Sequence, residues 1–293
     1  MTKTVEEGFE AFLKRLTPSK TEHKKVTKHK KTVHRCLKNK FDCSRFFDIG
    51  SYGNGTGVRH HSDTDYFAIL PSDMLHHKSS VALRQTKEAL QATFKNTIIE
   101  VKTPVVKIHF GQFASEKMEI VPCYFYGLVK TKLGNFQNFR IPDGAGNWLY
   151  SSPQAHNIYV EKQNLRFGGE LKSLIRLIKA WKYYNDVPIE SFYLELNATK
   201  YAEKEKSIFY DIDLMYFLSF LYEKKLADIK DPMGVSGLIP ASKTPIKKEE
   251  AFSKLNTALN RARKALEAKQ KGNVKEALDW WNLLFNKKFK LKK

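Results

Sequence analysis

The sequence predicts an α+β protein of two lobes, a mixed β-sheet lobe with helices over residues 1–160 and a helical lobe over residues 161–293 that closes a cleft against it. Three observations carry this. Short alternating apolar runs bounded by Gly and Pro are confined to the first half. Apolar residues at 3.6-residue spacing fill most of the second half. At 293 residues and 42% apolar, the chain can bury one large core or two modest ones that share a cleft.

From Val5 to about Phe47, apolar residues recur at helical spacings among charges, which predicts one or two helices with a break near Thr17-Pro18. "RFFDIGS" reads as a short buried strand ending in a loop, and "DTDYFAILP" as a strand closed by Pro71. Val81 to Phe94 is helical in pattern, and "TIIEVKTPVVKIHFG" and "KMEIVPCYFYGL" alternate like paired strands. Pro142 to Pro153 reads as a loop from its Gly, Pro and Ser content. From Glu161 onward the pattern is helical. No internal repeat is visible.

A formal charge of +20 and a strongly basic stretch from Ser19 to Lys40 predict a polyanionic partner. Charge alone leaves open whether that partner is a nucleotide or a nucleic acid, or whether the stretch is a solvated helix face. Cys36, Cys43 and Cys123 are too few and too irregular for a disulfide framework, and neither they nor the histidine pairs have zinc-ligand spacing. No zinc is expected. No apolar run approaches the roughly 20 residues of a membrane span, and the N-terminus lacks the basic and apolar regions of a signal peptide. The expected location is therefore the cytoplasm.

The informative stretch is "GSYGNGTGVRHHSDTDYFAIL", Gly50 to Leu70. On a strand, residues i and i+2 share a face, so Asp63 and Asp65 would project together and need a cation between them. Mg²⁺, a hard ion that keeps positions open for phosphates, suits such a pair. Glu119 in "KMEIVP" offers a third carboxylate from a neighbouring apolar strand. The glycines then have a purpose, since Gly50 lets backbone approach a polyphosphate and Ser51 offers an N–H and a hydroxyl. The loop lacks the G-K-[ST] of a Walker motif and the G-x-G-x-x-G dinucleotide spacing.

"IGSYGNGTGVRHHSDTDYFAIL" and "MEIVPC" together resemble the nucleotidyltransferase signature, a hydrophobic-Gly-Ser turn, two acids on a strand and a third on the next. Within that superfamily, "GTGV", "NWLYSSPQAHN", "LIRLIKAWKYYNDVPIESFYLEL", "DPMGVSG" and "EALDWWNLLFNKKF" are similar to segments of the bacterial cGAS/DncV-like nucleotidyltransferases, or CD-NTases. The resemblance implies a metal-dependent enzyme that joins NTPs, ATP among them, into a cyclic oligonucleotide heard by a downstream effector in CBASS anti-phage defence. It implies that Asp63, Asp65 and Glu119 bind two Mg²⁺ ions, for which Mn²⁺ could substitute. It further implies that Gly50, Ser51, Lys179 and Ser191 contact phosphates and that Phe192 stacks on a base. Two departures stand out: Glu119 where the family commonly has Asp, and Phe192 where it commonly has Tyr.

Other readings stay open. An enzyme that extends RNA ends with A or CCA would share the acids and use the charge. A linear oligonucleotide synthase would differ only in its product. A chain that had lost catalysis would keep a nucleic-acid footprint on Lys24, Lys25, Lys28, Lys30 and Lys31, the same lysines through which RNA could activate a synthase.

Overall fold

The computed structural model describes residues 4–18, 20–59, 61, 64–111 and 116–289. Helix α1, Val5–Leu16, begins with a reciprocal cap in which Thr4 accepts from the Glu7 N–H and Glu7 accepts from the Thr4 N–H. It ends before Pro18, and α2 (Lys20–Phe41) follows, so the predicted break is where the proline places it.

Strand β1 (Arg45–Ile49) runs directly into a short helical turn, α3 (Gly50–Gly53). Strand β2 (Thr64–Ile69), helix α4 (Ser79–Thr93) and the hairpin β3 (Ile98–Lys102) and β4 (Val105–Phe110) come next. The long β5 (Glu116–Thr131), β6 (Gly134–Pro142) and β7 (Trp148–Ser151) complete the sheet. Its order is β1-β2-β5-β4-β3, with β6 on β5 and β7 on β6. Only the β2–β5 pair is parallel among these ladders, so the sheet is mixed.

Strand β7 corrects the loop reading of residues 142–153. Its aromatic residues suit a strand, and pairing with β6 supplies the partner that the flanking Gly and Pro had concealed. Pro153 likewise opens helix α5 (Pro153–Arg166) rather than closing a loop, because a first-turn position needs no N–H from proline.

Alternation along β2 and β5 divides the sheet's two faces. Tyr66, Ala68, Met118 and Ile120 join a core beneath α2 and α4 with Val33, Leu37, Leu83 and Leu90. Phe67, Ile69, Val121 and Cys123 lie on the opposite face with Phe139. Each of these larger side chains gains about 1.5–3 kcal/mol from leaving water.

The helical half comprises α6 (Glu170–Tyr184), α7 (Ser191–Ala202), α8 (Tyr210–Glu223), the small hairpin β8 (Ile229–Lys230) and β9 (Leu238–Ile239), α9 (Pro245–Gln270) and α10 (Val274–Leu284). Its core also takes in α1: Phe9 packs edge-on against Trp281 and Phe289, and Phe12 packs against Phe285 and Phe289. Among the described residues no helix is long and apolar enough to cross a membrane.

Candidate active site

Asp65 and Glu119 stand in register on the parallel strands β2 and β5. By alternation they share the face of Phe67 and Val121, away from α2 and α4. The same row extends outward in both directions, with Ile49 opposite Asp65, Lys107 opposite Glu119 and Glu100 opposite Lys107. Asp63 lies outside the described residues. Among those described, no three His, Cys, Asp or Glu side chains gather into a metal-binding group.

The turn after β1 is pressed against this row. Gly50 has φ +61, and a Cβ built on it would lie 2.2 Å from Asp65 Oδ2, so only glycine leaves room for that carboxylate. The donor set fits a hard divalent cation in three respects. Asp65 and Glu119 offer neighbouring carboxylate oxygens, the glycine turn cradles one of them, and a cationic group, the Lys107 ammonium, already sits 2.9 Å from Glu119 Oε1.

A cavity of about 320 Å³ opens here, lined by Gly50, Ser51, Asp65 and Glu119 from the sheet side. Lys179, Lys182, Ser191 and Phe192 line it from the helical side. Its volume is in the range of small-molecule sites. A larger cavity of about 760 Å³ lies between α2 and α4, but among the described residues Glu88 is the lone carboxylate lining it and no glycine turn does.

Thus the cavity brings together Gly50, Ser51, Lys179, Ser191 and Phe192, the residues expected from the sequence to contact a nucleotide. Lys179 is almost fully buried in its wall. Its ammonium donates to Glu195 Oε2 at 2.6 Å and to Thr56 Oγ1 at 2.9 Å. Glu195 also accepts from Thr56 Oγ1 at 2.6 Å and from Asn54 Nδ2 at 2.5 Å. Burial alone would discourage ionisation of Glu195, but Lys179 and these hydrogen bonds outweigh it and hold the carboxyl below its ordinary range. Arg176 reinforces the tie, donating to the carbonyls of Gly55 and Gly57 at 2.7 and 2.9 Å. The network fixes the glycine loop to α6 and α7.

Lys182 was missed in the sequence, although it lies three residues beyond Lys179 and so on the same helix face. Its ammonium donates to Ser191 Oγ at 2.5 Å. Burial pushes its pKa down to about 8, against the opposing pull of Glu190 and with help from Lys179 and Lys243. His61 and Tyr183, also on the cavity wall, stack with ring centroids 5.4 Å apart.

Phe192 is 40% exposed at the mouth and rests edge-on against His156, centroids 4.9 Å apart. His156 bonds Asp231 Oδ2 at 2.9 Å, and Asp231 accepts the N–H groups of Met233, Val235 and Ser236. Two stretches that looked unrelated in sequence, "SSPQAHN" and "DPMGVSG", therefore meet beneath one aromatic ring. Trp181 is core.

Of the basic positions on α2, Lys30 is committed to Asp48 Oδ2 at 2.5 Å and sits over the Tyr66 ring. Lys31 is exposed. The side chains of Lys24, Lys25 and Lys28 lie outside those described.

A sheet carrying an acid row, faced by a helical lobe across a cleft, is the two-lobed nucleotidyltransferase architecture. The chain superposes on Escherichia coli MS115-1 CdnC solved with ATP at a TM-score of 0.76, with 17% identity, over 98% of this chain and 99% of that one. Against the Vibrio cholerae DncV cyclic AMP-GMP synthase with a linear intermediate, the TM-score is 0.62 and the identity 18%, over 84% of this chain and 69% of DncV. The family profile of the Second Messenger Oligonucleotide or Dinucleotide Synthetase (SMODS) domain matches residues 3–164, more than half of the sequence, and the chain belongs to that family of CD-NTases. A probable cyclic nucleotide synthase of Bacillus cereus (strain VD146) is 27% identical over 157 residues, 51% of this chain. The match spans 45% of that relative's length.

Proposed function

We propose that this protein is a cyclic oligonucleotide synthase that joins NTPs in the cleft with release of pyrophosphate. The observation that carries the reading is the pairing of Asp65 with Glu119 beside the Gly50-Ser51 turn, in one cavity with Lys182, Ser191 and Phe192. Asp63, Asp65 and Glu119 would hold Mg²⁺, which supplies charge neutralisation at the phosphates and a more acidic acceptor hydroxyl.

The chain's own groups do the positioning. Ser51 and Ser191 face the triphosphate, with Lys182 placed to balance its charge and Lys179 holding the loop that carries Ser51. Phe192 offers a ring face to the base. A carboxylate oxygen of Asp65 or Glu119 accepts the proton of the acceptor hydroxyl while the hydroxyl's own oxygen bonds to the α-phosphorus and the bond to pyrophosphate breaks. A second transfer in the same cleft closes the ring. ATP is favoured as one substrate by the likeness to CdnC and DncV, and the proposed setting is a cytoplasmic defence signal read by an effector.

The charge of +20 favours one further arm, activation by RNA on the basic residues of α2, of which Lys31, Arg35, Lys38 and Lys40 are exposed among the described side chains. The test is to incubate purified protein with each labelled NTP and Mg²⁺, with and without RNA, then to treat the products with phosphatase. A small phosphatase-resistant product, absent with Asp65→Asn and increased by RNA, is expected. Label growing onto the RNA instead would make this an RNA-end transferase.

A further inference from the structure

We propose that Lys107 is the resident counter-cation of the acid row, neutralising Glu119 until a divalent metal arrives with its nucleotide and so keeping affinity for free metal low. This rests on the metal site proposed above.

Lys107 and Glu119 are register partners on β4 and β5, which places their side chains on one face. The ammonium lies 2.9 Å from Glu119 Oε1, and both side chains are largely shielded, 16% and 23% exposed. A cation approaching Glu119 meets a positive charge already seated on one of its two oxygens. Either that ion pair breaks or the two cations share one carboxylate, and both cost binding free energy.

The displaced ammonium has a place to go. On its other side Lys107 stands in register with Glu100, on β3. Glu100 bonds His109 at 3.0 Å and Lys102 at 3.2 Å, and its carboxyl is held below the usual range by the His109 hydrogen bond first, with Lys102 adding to it. A Lys107 side chain turning from Glu119 meets a second carboxylate one strand away, which it would share with His109 and Lys102.

The consequence is coupling. A bare divalent ion gains little at a carboxylate that is already neutralised, whereas a metal bound to a triphosphate brings negative charge that offsets Lys107. Metal and nucleotide then raise each other's affinity by the same factor.

The test is a Mn²⁺ titration followed by electron paramagnetic resonance of the free ion, first without nucleotide and then with ATP, on the whole protein. Without nucleotide, Lys107→Met should bind Mn²⁺ about tenfold more tightly than wild type, the effect of removing one charge a few ångströms from a dication even at the dielectric of water. Lys107→Arg should behave as wild type. Lys107→Gln serves in place of Lys107→Met should the latter fail to fold.

Unchanged affinity in the neutral variant overturns the proposal. Weakened affinity overturns it too and makes Lys107 a support that orients Glu119. Failure of the metal reading itself looks different. In that case wild type and Asp65→Asn take up equal Mn²⁺ even with ATP, whatever residue occupies position 107.

Discussion

Gly50 and Asp65 are in such close contact that one added methyl group on the glycine would sit 2.2 Å from the carboxylate oxygen Oδ2. The turn and the acid are therefore a single fitted unit. Gly50→Ala must displace Asp65 as well as adopt φ +61, which costs an L-residue roughly 1–2 kcal/mol. We expect nucleotide turnover to fall about 100-fold, as when the support of a metal ligand is removed. The melting temperature should drop by only a few degrees. Near-normal turnover would show that Asp65 has latitude in this position.

The Lys179–Glu195 pair is expected to behave as a structural bond between the glycine loop and the helical lobe. Glu195→Ala leaves a buried ammonium unpaired and should cost about 3–5 kcal/mol in denaturant unfolding. The double variant Lys179→Met, Glu195→Leu should recover most of that stability, since no unpaired charge remains. Its KM for NTP should stay raised, because Thr56 and Asn54 no longer anchor the loop. Recovery of both stability and KM would show that the network serves packing alone.

Lys182 should impose a pH limb on substrate binding. With its pKa near 8, the side chain is an ammonium at neutral pH and loses that charge as pH rises through 8. KM for NTP should therefore climb between pH 7 and pH 9 in wild type. The climb should vanish in Lys182→Arg, whose guanidinium stays charged. A steady-state series at saturating metal decides this, and an identical limb in the arginine variant would assign it elsewhere.

Asp231 should contribute to acid stability. Burial opposes its ionisation, yet the His156 bond and charge and the backbone N–H groups together hold its pKa at about 2. A carboxylate depressed in the folded state stabilises fully above its unfolded pKa near 3.9, and that contribution is lost as pH falls toward 2. Thermal melts of wild type and Asp231→Asn should differ at pH 6 and converge by pH 2. A constant gap would mean that the aspartate acts through shape rather than charge.

What the sequence disclosed was whatever depends on local pattern. The Gly-Ser turn, the acid strand and its parallel neighbour each announce themselves within a few residues, because their chemistry requires particular residues at fixed spacing. Lys179 could be found but not understood, since its partners Thr56 and Glu195 come from other elements and meet it only in the fold. Lys107 reads as an ordinary polar residue in the alternating "VVKIHF", and only the register of β4 on β5 places it against Glu119. Strand β7 was hidden because edge strands take their identity from the partner they pair with.

Helix α1 finds its native neighbours in Trp281, Phe285 and Phe289, at the opposite extreme of the sequence. During synthesis, Phe9 and Phe12 emerge from the ribosome long before those rings exist. The apolar stripe of α1 must then wait, exposed or shielded by a chaperone, while all the elements between it and α10 are made. Closure of the helical lobe is therefore a late event, completed when Trp281, Phe285 and Phe289 reach Phe9 and Phe12.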